Sequence, residues 1–105
     1  MTAEIQRFEF QWRGLLIEVR YCPDWMEGYR EAYGYPLAHL DVESMLPSKA
    51  PLPITETGYR SHFDRPENIE VHGGPVTFVL EWLDHEAESS KWTKQQTEQR
   101  QLSLF

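Results

Sequence analysis

The chain has 105 residues, a formal net charge of −7, 40% hydrophobic and 13% aromatic residues, which bounds it to one small folded domain with a modest core. Four Trp and five Tyr argue against a disordered body, and the acidic balance argues against non-specific binding to the phosphate backbone of nucleic acid. A single cysteine, Cys22, excludes an internal disulfide. No apolar run reaches the roughly 18 residues that span a bilayer, and the first residues lack the basic and apolar regions of a signal peptide, so a cytoplasmic location with no membrane association is expected.

Phe8, Phe10 and Trp12 alternate with Glu9, Gln11 and Arg13, the period of a half-buried strand. Leu15, Ile17, Val19 and Tyr21 repeat the pattern. Arg13-Gly14 between them predicts a tight turn, hence a β-hairpin. Cys22-Pro23-Asp24 ends the second strand, and Cys22 reads as a buried thiol rather than a nucleophile. Residues 25–35 carry Trp25, Tyr29, Tyr33 and Tyr35 at neither period, and predict a loop with one helical turn whose aromatics pack on the sheet. Residues 37–45 alternate again, with Ala38, Leu40 and Val42 on one face and His39, Asp41 and Glu43 on the other. They predict a third, antiparallel strand.

Pro47, Pro51 and Pro53 make residues 47–53 a connector. Residues 54–64 read as a polar-aromatic loop around Thr57-Gly58-Tyr59, and Pro66 opens a short helix. The main helix starts at Gly74-Pro75, where Val76, Val79, Leu80, Leu83 and Ala87 follow helical spacing and Phe78 and Trp82 widen the apolar face. The expected fold is α+β: a three-stranded antiparallel sheet, one main helix over residues 75–89 packed across it, and a flexible C-terminal tail. Residues 1–90 form the domain and residues 91–105 a polar linker and tail. Lys91, Lys94 and Arg100 against Glu98 leave that tail at +2 and the remainder at −9.

Candidate chemistry is sparse. His39, His62, His72 and His85 stand without Cys or His neighbours at metal-ligand spacing, so no metal site and no cofactor are expected. Asp84-His85-Glu86 point in different directions on a helix and read as a solvated face. His72-Gly73-Gly74-Pro75 reads as a helix-entry turn, since no nucleotide-binding glycine motif is present. The densest polar cluster is the expected loop over residues 57–63. There Thr57, Tyr59, Arg60 and His62 form a possible second binding site, Arg60 being able to grip a carboxylate or phosphate with two parallel bonds. Ser61 beside His62 does not make a catalytic dyad, which needs a spatial arrangement and a third group. No enzymatic activity is expected.

The last five residues, Gln101-Leu102-Ser103-Leu104-Phe105, resemble the bacterial sliding-clamp-binding motif. An arbitrary pentamer fits that pattern with a frequency on the order of one in a million. The resemblance implies a non-enzymatic adaptor or modulator whose partner is the DNA polymerase III β ring. Gln101 would bond to the rim of a pocket, Leu102, Leu104 and Phe105 would supply apolar anchors, and Ser103 would be a spacer. The basic residues upstream favour encounter with an acidic partner. The alternative is a small protein-binding module acting through residues 57–63, with the tail a structural plug. Tyr35-Pro36-Leu37-Ala38-His39-Leu40, residues 51–63, and the stretch from Gly73-Gly74-Pro75-Val76 through Trp82-Leu83-Asp84 are similar to short uncharacterised proteobacterial proteins, often encoded on plasmids or other mobile elements. That resemblance implies no activity.

Overall fold

The computed structural model describes residues 4–89, 91–94 and 97. Residues 101–105, with the clamp-like pentapeptide, lie outside the described residues, as does most of the tail expected to be flexible. The elements in chain order are β1 (Gln6–Trp12), β2 (Leu15–Cys22), α1 (Glu27–Tyr33), β3 (Ala38–Leu46), β4 (Tyr59–Asp64), α2 (Pro66–Glu70) and α3 (Pro75–Ala87). The fold is α+β. The strands form one antiparallel sheet in the order β1-β2-β3-β4, a meander in which every strand pairs with its chain neighbour.

The β1–β2 hairpin closes through Arg13 and Gly14, both at positive φ (49° and 81°). Two consecutive left-handed residues suit the right-handed twist of the flanking strands, and Trp12 pairs with Leu15 across the turn. Val19 pairs with Val42 and Tyr21 with Leu40. The apolar phase of both strands therefore falls on one face, as the alternation predicts. That face is covered by α3 and α2. Val79, Leu83 and Ala87 of α3 and Ile69 of α2 are buried with Ile17, Val19, Leu40 and Val42 in a single core. The Trp12 indole N–H donates to Asp84 Oδ1 (2.9 Å), fastening β1 to α3. Asp84 thus does more than solvate its helix face.

The sheet has four strands, not three. Residues 59–64, expected as loop, pair with β3 from Glu43↔Tyr59 to Ala38↔Asp64. The physical reason is that β4 is an edge strand with little apolar burial. Its helix-side positions are Arg60, His62 and Asp64, so no hydrophobic alternation marks it. The stretch before β3 also departs from expectation: residues 27–33 form a full helix rather than a loop with a single turn. Its stop is Gly34 at φ 79°, whose N–H bonds to Arg30 O, a left-handed C-terminal cap. No residue of α1 is buried. Its tyrosines stack on each other, Tyr29 to Tyr33 at 4.5 Å and Tyr29 to Tyr35 at 5.7 Å, while Trp25 alone of these aromatics stacks on a sheet residue, His39 (4.3 Å).

The connector between β3 and β4 is pinned rather than loose. Leu52 and Ile54 are buried, Leu52 and Thr55 exchange backbone hydrogen bonds, and the Ser44 hydroxyl donates to Ala50 O (2.6 Å). Trp92 is 6% exposed and belongs to the core, its ring 6.4 Å from that of Trp12. The packed body therefore reaches past residue 90. Among the described residues no helix is long and apolar enough to cross a membrane.

Candidate functional site

With α2 and α3 on one side, the other face of the sheet is open to solvent at its β4 edge, and its polar side chains form one connected network. Arg20 of β2 is the hub. It lies 2.7 Å from Glu18, 3.1 Å from Glu43 and 3.6 Å from Asp41. Burial alone would lower the Arg20 pKa, but the hydrogen bonds to Glu18 and Glu43 and the charge of Asp41 outweigh it and the net shift is upward. The guanidinium stays charged. Asp41 also accepts a hydrogen bond from the Tyr59 hydroxyl (2.9 Å). Partial burial and that bond raise the Tyr59 pKa, so the phenol remains protonated at neutral pH.

His39 sits at the far end of this network. Its Nε2 is 2.8 Å from Ser61 Oγ and 3.2 Å from Asp41 Oδ1. A serine, a histidine and an aspartate within hydrogen-bond reach invite comparison with a hydrolytic triad. The connectivity is different: both partners address the same ring nitrogen. A triad needs the carboxylate on Nδ1, so that Nε2 is free to take the serine proton. This arrangement orients His39 and does not activate Ser61. Trp25 and Phe63 flank the ring at 4.3 and 4.7 Å. At 40% and 51% exposure, they present an aromatic edge beside the acidic network.

The four residues expected to share one binding loop are divided by β4. Tyr59 points to the open face with Ser61 and Phe63, because its β3 partner is Glu43. Arg60 and His62 pair with Val42 and Leu40 and so face the helices, where Arg60 lies over the Trp82 ring (5.6 Å) and His62 stacks near Trp82 (5.2 Å) and Phe78 (5.6 Å). Thr57 stays in the turn, its N–H donating to Thr55 Oγ1 (3.3 Å). The Ser61–His39–Asp41 cluster escaped sequence reasoning, because those residues converge only once β3 and β4 are known to pair. Period-two spacing of Tyr59, Ser61 and Phe63 was the one available signal.

The remaining histidines are dispersed. His72 bonds to Glu81 (2.6 Å), and among the described residues no three His, Cys, Asp or Glu side chains converge as a metal site would require. Cys22 is buried. Asp64, at the end of β4, accepts from the Arg65 N–H (2.7 Å), from Asn68 Nδ2 (2.7 Å) and lies 3.1 Å from His62 Nε2.

The family model described as KlcB third domain matches residues 5–92. The chain belongs to the KlcB third-domain family. The match takes in the four-stranded sheet, α1, α2, α3 and Trp92, and stops short of the terminal pentapeptide. No curated protein and no solved structure matches the chain.

Asp64 gives the chain an acid-sensitive joint between β4 and α2. Burial would raise its pKa, but the hydrogen bonds from Asn68, His62 and the Arg65 backbone outweigh that and hold it below the ordinary carboxylate value. A carboxyl whose folded pKa is depressed contributes stability above its unfolded pKa, about 4, and loses it as pH falls through the lower folded value. Replacing Asp64 with Asn should therefore lower stability at neutral pH and flatten its decline below about pH 4. Urea midpoints of both proteins across that range check it; parallel declines would refute the assignment.

Proposed function

We propose that the chain is a non-enzymatic adaptor or modulator that docks on the bacterial DNA polymerase III β sliding clamp through Gln101, Leu102, Ser103, Leu104 and Phe105. The observation that carries this reading is the position of the pentapeptide: it follows a body whose core already includes Trp92 and lies outside the family match. Binding therefore need not disturb the domain. Gln101 bonds at the pocket rim while the three apolar side chains fill subsites. Burying each contributes roughly 1.5–3 kcal/mol before the cost of ordering the segment; the expected affinity is micromolar, which corresponds to about −8 kcal/mol. The chain acts in the cytoplasm as the product of a plasmid or other mobile element, with the ring as its protein partner and no direct contact to nucleic acid. The similarity of its body segments to plasmid-encoded proteins supports that setting.

A labelled peptide carrying this pentapeptide, bound to the purified ring, tests the reading by competition. The full chain should displace it at micromolar concentration, and Phe105→Ala should weaken displacement at least about tenfold, since one buried aromatic is worth more than 1.4 kcal/mol. Equal displacement by both proteins would refute it.

A second reading, that the body itself is a protein-binding module, is favoured by the open sheet face. There Trp25, Tyr59 and Phe63 remain exposed beside a network of four charged groups. The two readings are compatible: the tail recruits, and the body presents this face to another protein at the fork.

A further inference from the structure

A cleft of about 350 Å³ opens on the helix side of the sheet, between the connector at Leu52–Glu56 and the chain after α3. Its floor is apolar: Leu52, Ile54 and Trp92 line it and all three are buried in the core. Thr55, Glu56, Arg60, Ser89 and Lys91 supply its polar lining, two cations against one carboxylate. Arg60 reaches it from β4 and makes no ion pair among the described residues; its guanidinium is steadied over the Trp82 ring instead. Lys91 contacts Glu56 at 3.4 Å, but both side chains are mostly exposed, and such surface pairs exchange partners readily. The Ser89 oxygen accepts from the Trp92 backbone N–H (3.2 Å), which leaves its hydroxyl proton to give. The Trp92 indole N–H is buried with no partner among the described residues.

A pair of cations against one exposed carboxylate, over a hydrocarbon floor, fits an acceptor that is anionic, planar and attached to an apolar body. It also stands apart in a chain of net charge −7, whose overall field repels anions. We propose that this cleft binds a carboxylate carried on an aliphatic group, with Arg60 and Lys91 holding the charge, and Leu52, Ile54 and the Trp92 ring contacting the hydrocarbon. Arg60 is the specificity residue, because its fork meets a carboxylate with two parallel bonds. The volume matches a ligand the size of one or two residues. The proposal is independent of clamp docking.

The test is an NMR titration of the full, nitrogen-15-labelled chain, read at the Trp92 indole N–H and assigned by its loss in Trp92→Phe. The probes are N-acetyl-L-leucine, its neutral amide, hexanoate and inorganic phosphate. The acid should give a saturable shift, and the amide should bind at least tenfold more weakly. Hexanoate binding as well as N-acetyl-L-leucine would mark a free aliphatic acid as the natural ligand; weaker binding would mark a peptide terminus. Either supports the site. Arg60→Gln should reduce acid binding at least tenfold while Arg30→Gln, on α1, leaves it unchanged. If Arg60→Gln fails to fold, Arg60→Lys and Lys91→Gln take its place, each expected to weaken binding severalfold. The proposal is overturned by equal binding of acid and amide, by phosphate binding as tightly as the acid, by unchanged binding in the variants, or by no saturable shift.

Discussion

Replacing Leu83 with Ala should cost about 2–5 kcal/mol of stability. Leu83 is 0% exposed and stands at the middle of the buried stripe Val79–Leu83–Ala87 of α3, which presses on β1 and β2. Truncation removes the transfer free energy of its methyl groups and leaves a cavity. The surrounding side chains cannot close that cavity without pulling α3 toward the sheet. A small domain has only about 5–15 kcal/mol in total, so the loss takes a large share. With an m-value of about 2 kcal/mol/M, the urea midpoint should fall by roughly 1–2.5 M. Leu46→Ala serves as the control: Leu46, at the end of β3, is 64% exposed and its truncation should move the midpoint little. Equal effects at the two positions would mean that α3 does not pack as described.

The second large effect is expected at Gly58, and a comparison with Gly34 separates its causes. Both glycines have φ 79°, where a side chain is disfavoured by about 1–2 kcal/mol. Their surroundings differ. A Cβ at Gly34 would meet nothing within 4 Å, whereas at Gly58 it would lie 2.7 Å from the Lys49 backbone and 2.9 Å from Ala50 O. Those atoms are fixed, because Gly58 O accepts the Ser44 N–H and Ala50 O accepts the Ser44 hydroxyl. Gly34→Ala should therefore cost about 1 kcal/mol. Gly58→Ala adds a forced backbone displacement of about 1–3 kcal/mol and should also loosen the connector that carries Leu52 and Ile54. Thermal or urea unfolding of the two variants side by side reads the difference. Similar losses would show that the close approach of the connector to the β4 entry is absent in solution.

Much of the fold could be read from the chain because burial writes itself as periodicity. The β1–β2 hairpin, β3 and α3 each set apolar residues at period two or 3.6, and the structure places Ile17, Val19, Leu40, Val42, Val79 and Leu83 together. Elements stabilised otherwise left no such trace. β4 uses polar residues on its helix side, where Arg60 and His62 lie over aromatic rings and Asp64 collects hydrogen bonds. α1 buries nothing and depends on stacked tyrosines and the Gly34 cap. The chemistry suffered the same limit. Thr57, Tyr59, Arg60 and His62 are adjacent in sequence, but strand alternation sends Tyr59 to one face and Arg60 and His62 to the other. Conversely His39, Asp41 and Ser61 meet only through the β3–β4 register. The proposed clamp-binding residues 101–105 are a linear motif, whose likeness is read without reference to a fold.

The central claim is that these five residues bind the clamp, and calorimetry tests it most directly. The full chain and a Leu104→Ala, Phe105→Ala double variant would each be titrated into a purified bacterial β ring, with circular dichroism confirming that both carry the same folded body. Micromolar binding by the full chain, reduced at least about a hundredfold in the double variant, is the predicted result, since each lost side chain is worth roughly 1.5–3 kcal/mol. Equal binding by the two proteins, or heat of dilution alone from both, would contradict the account and leave the body as the functional part of the molecule.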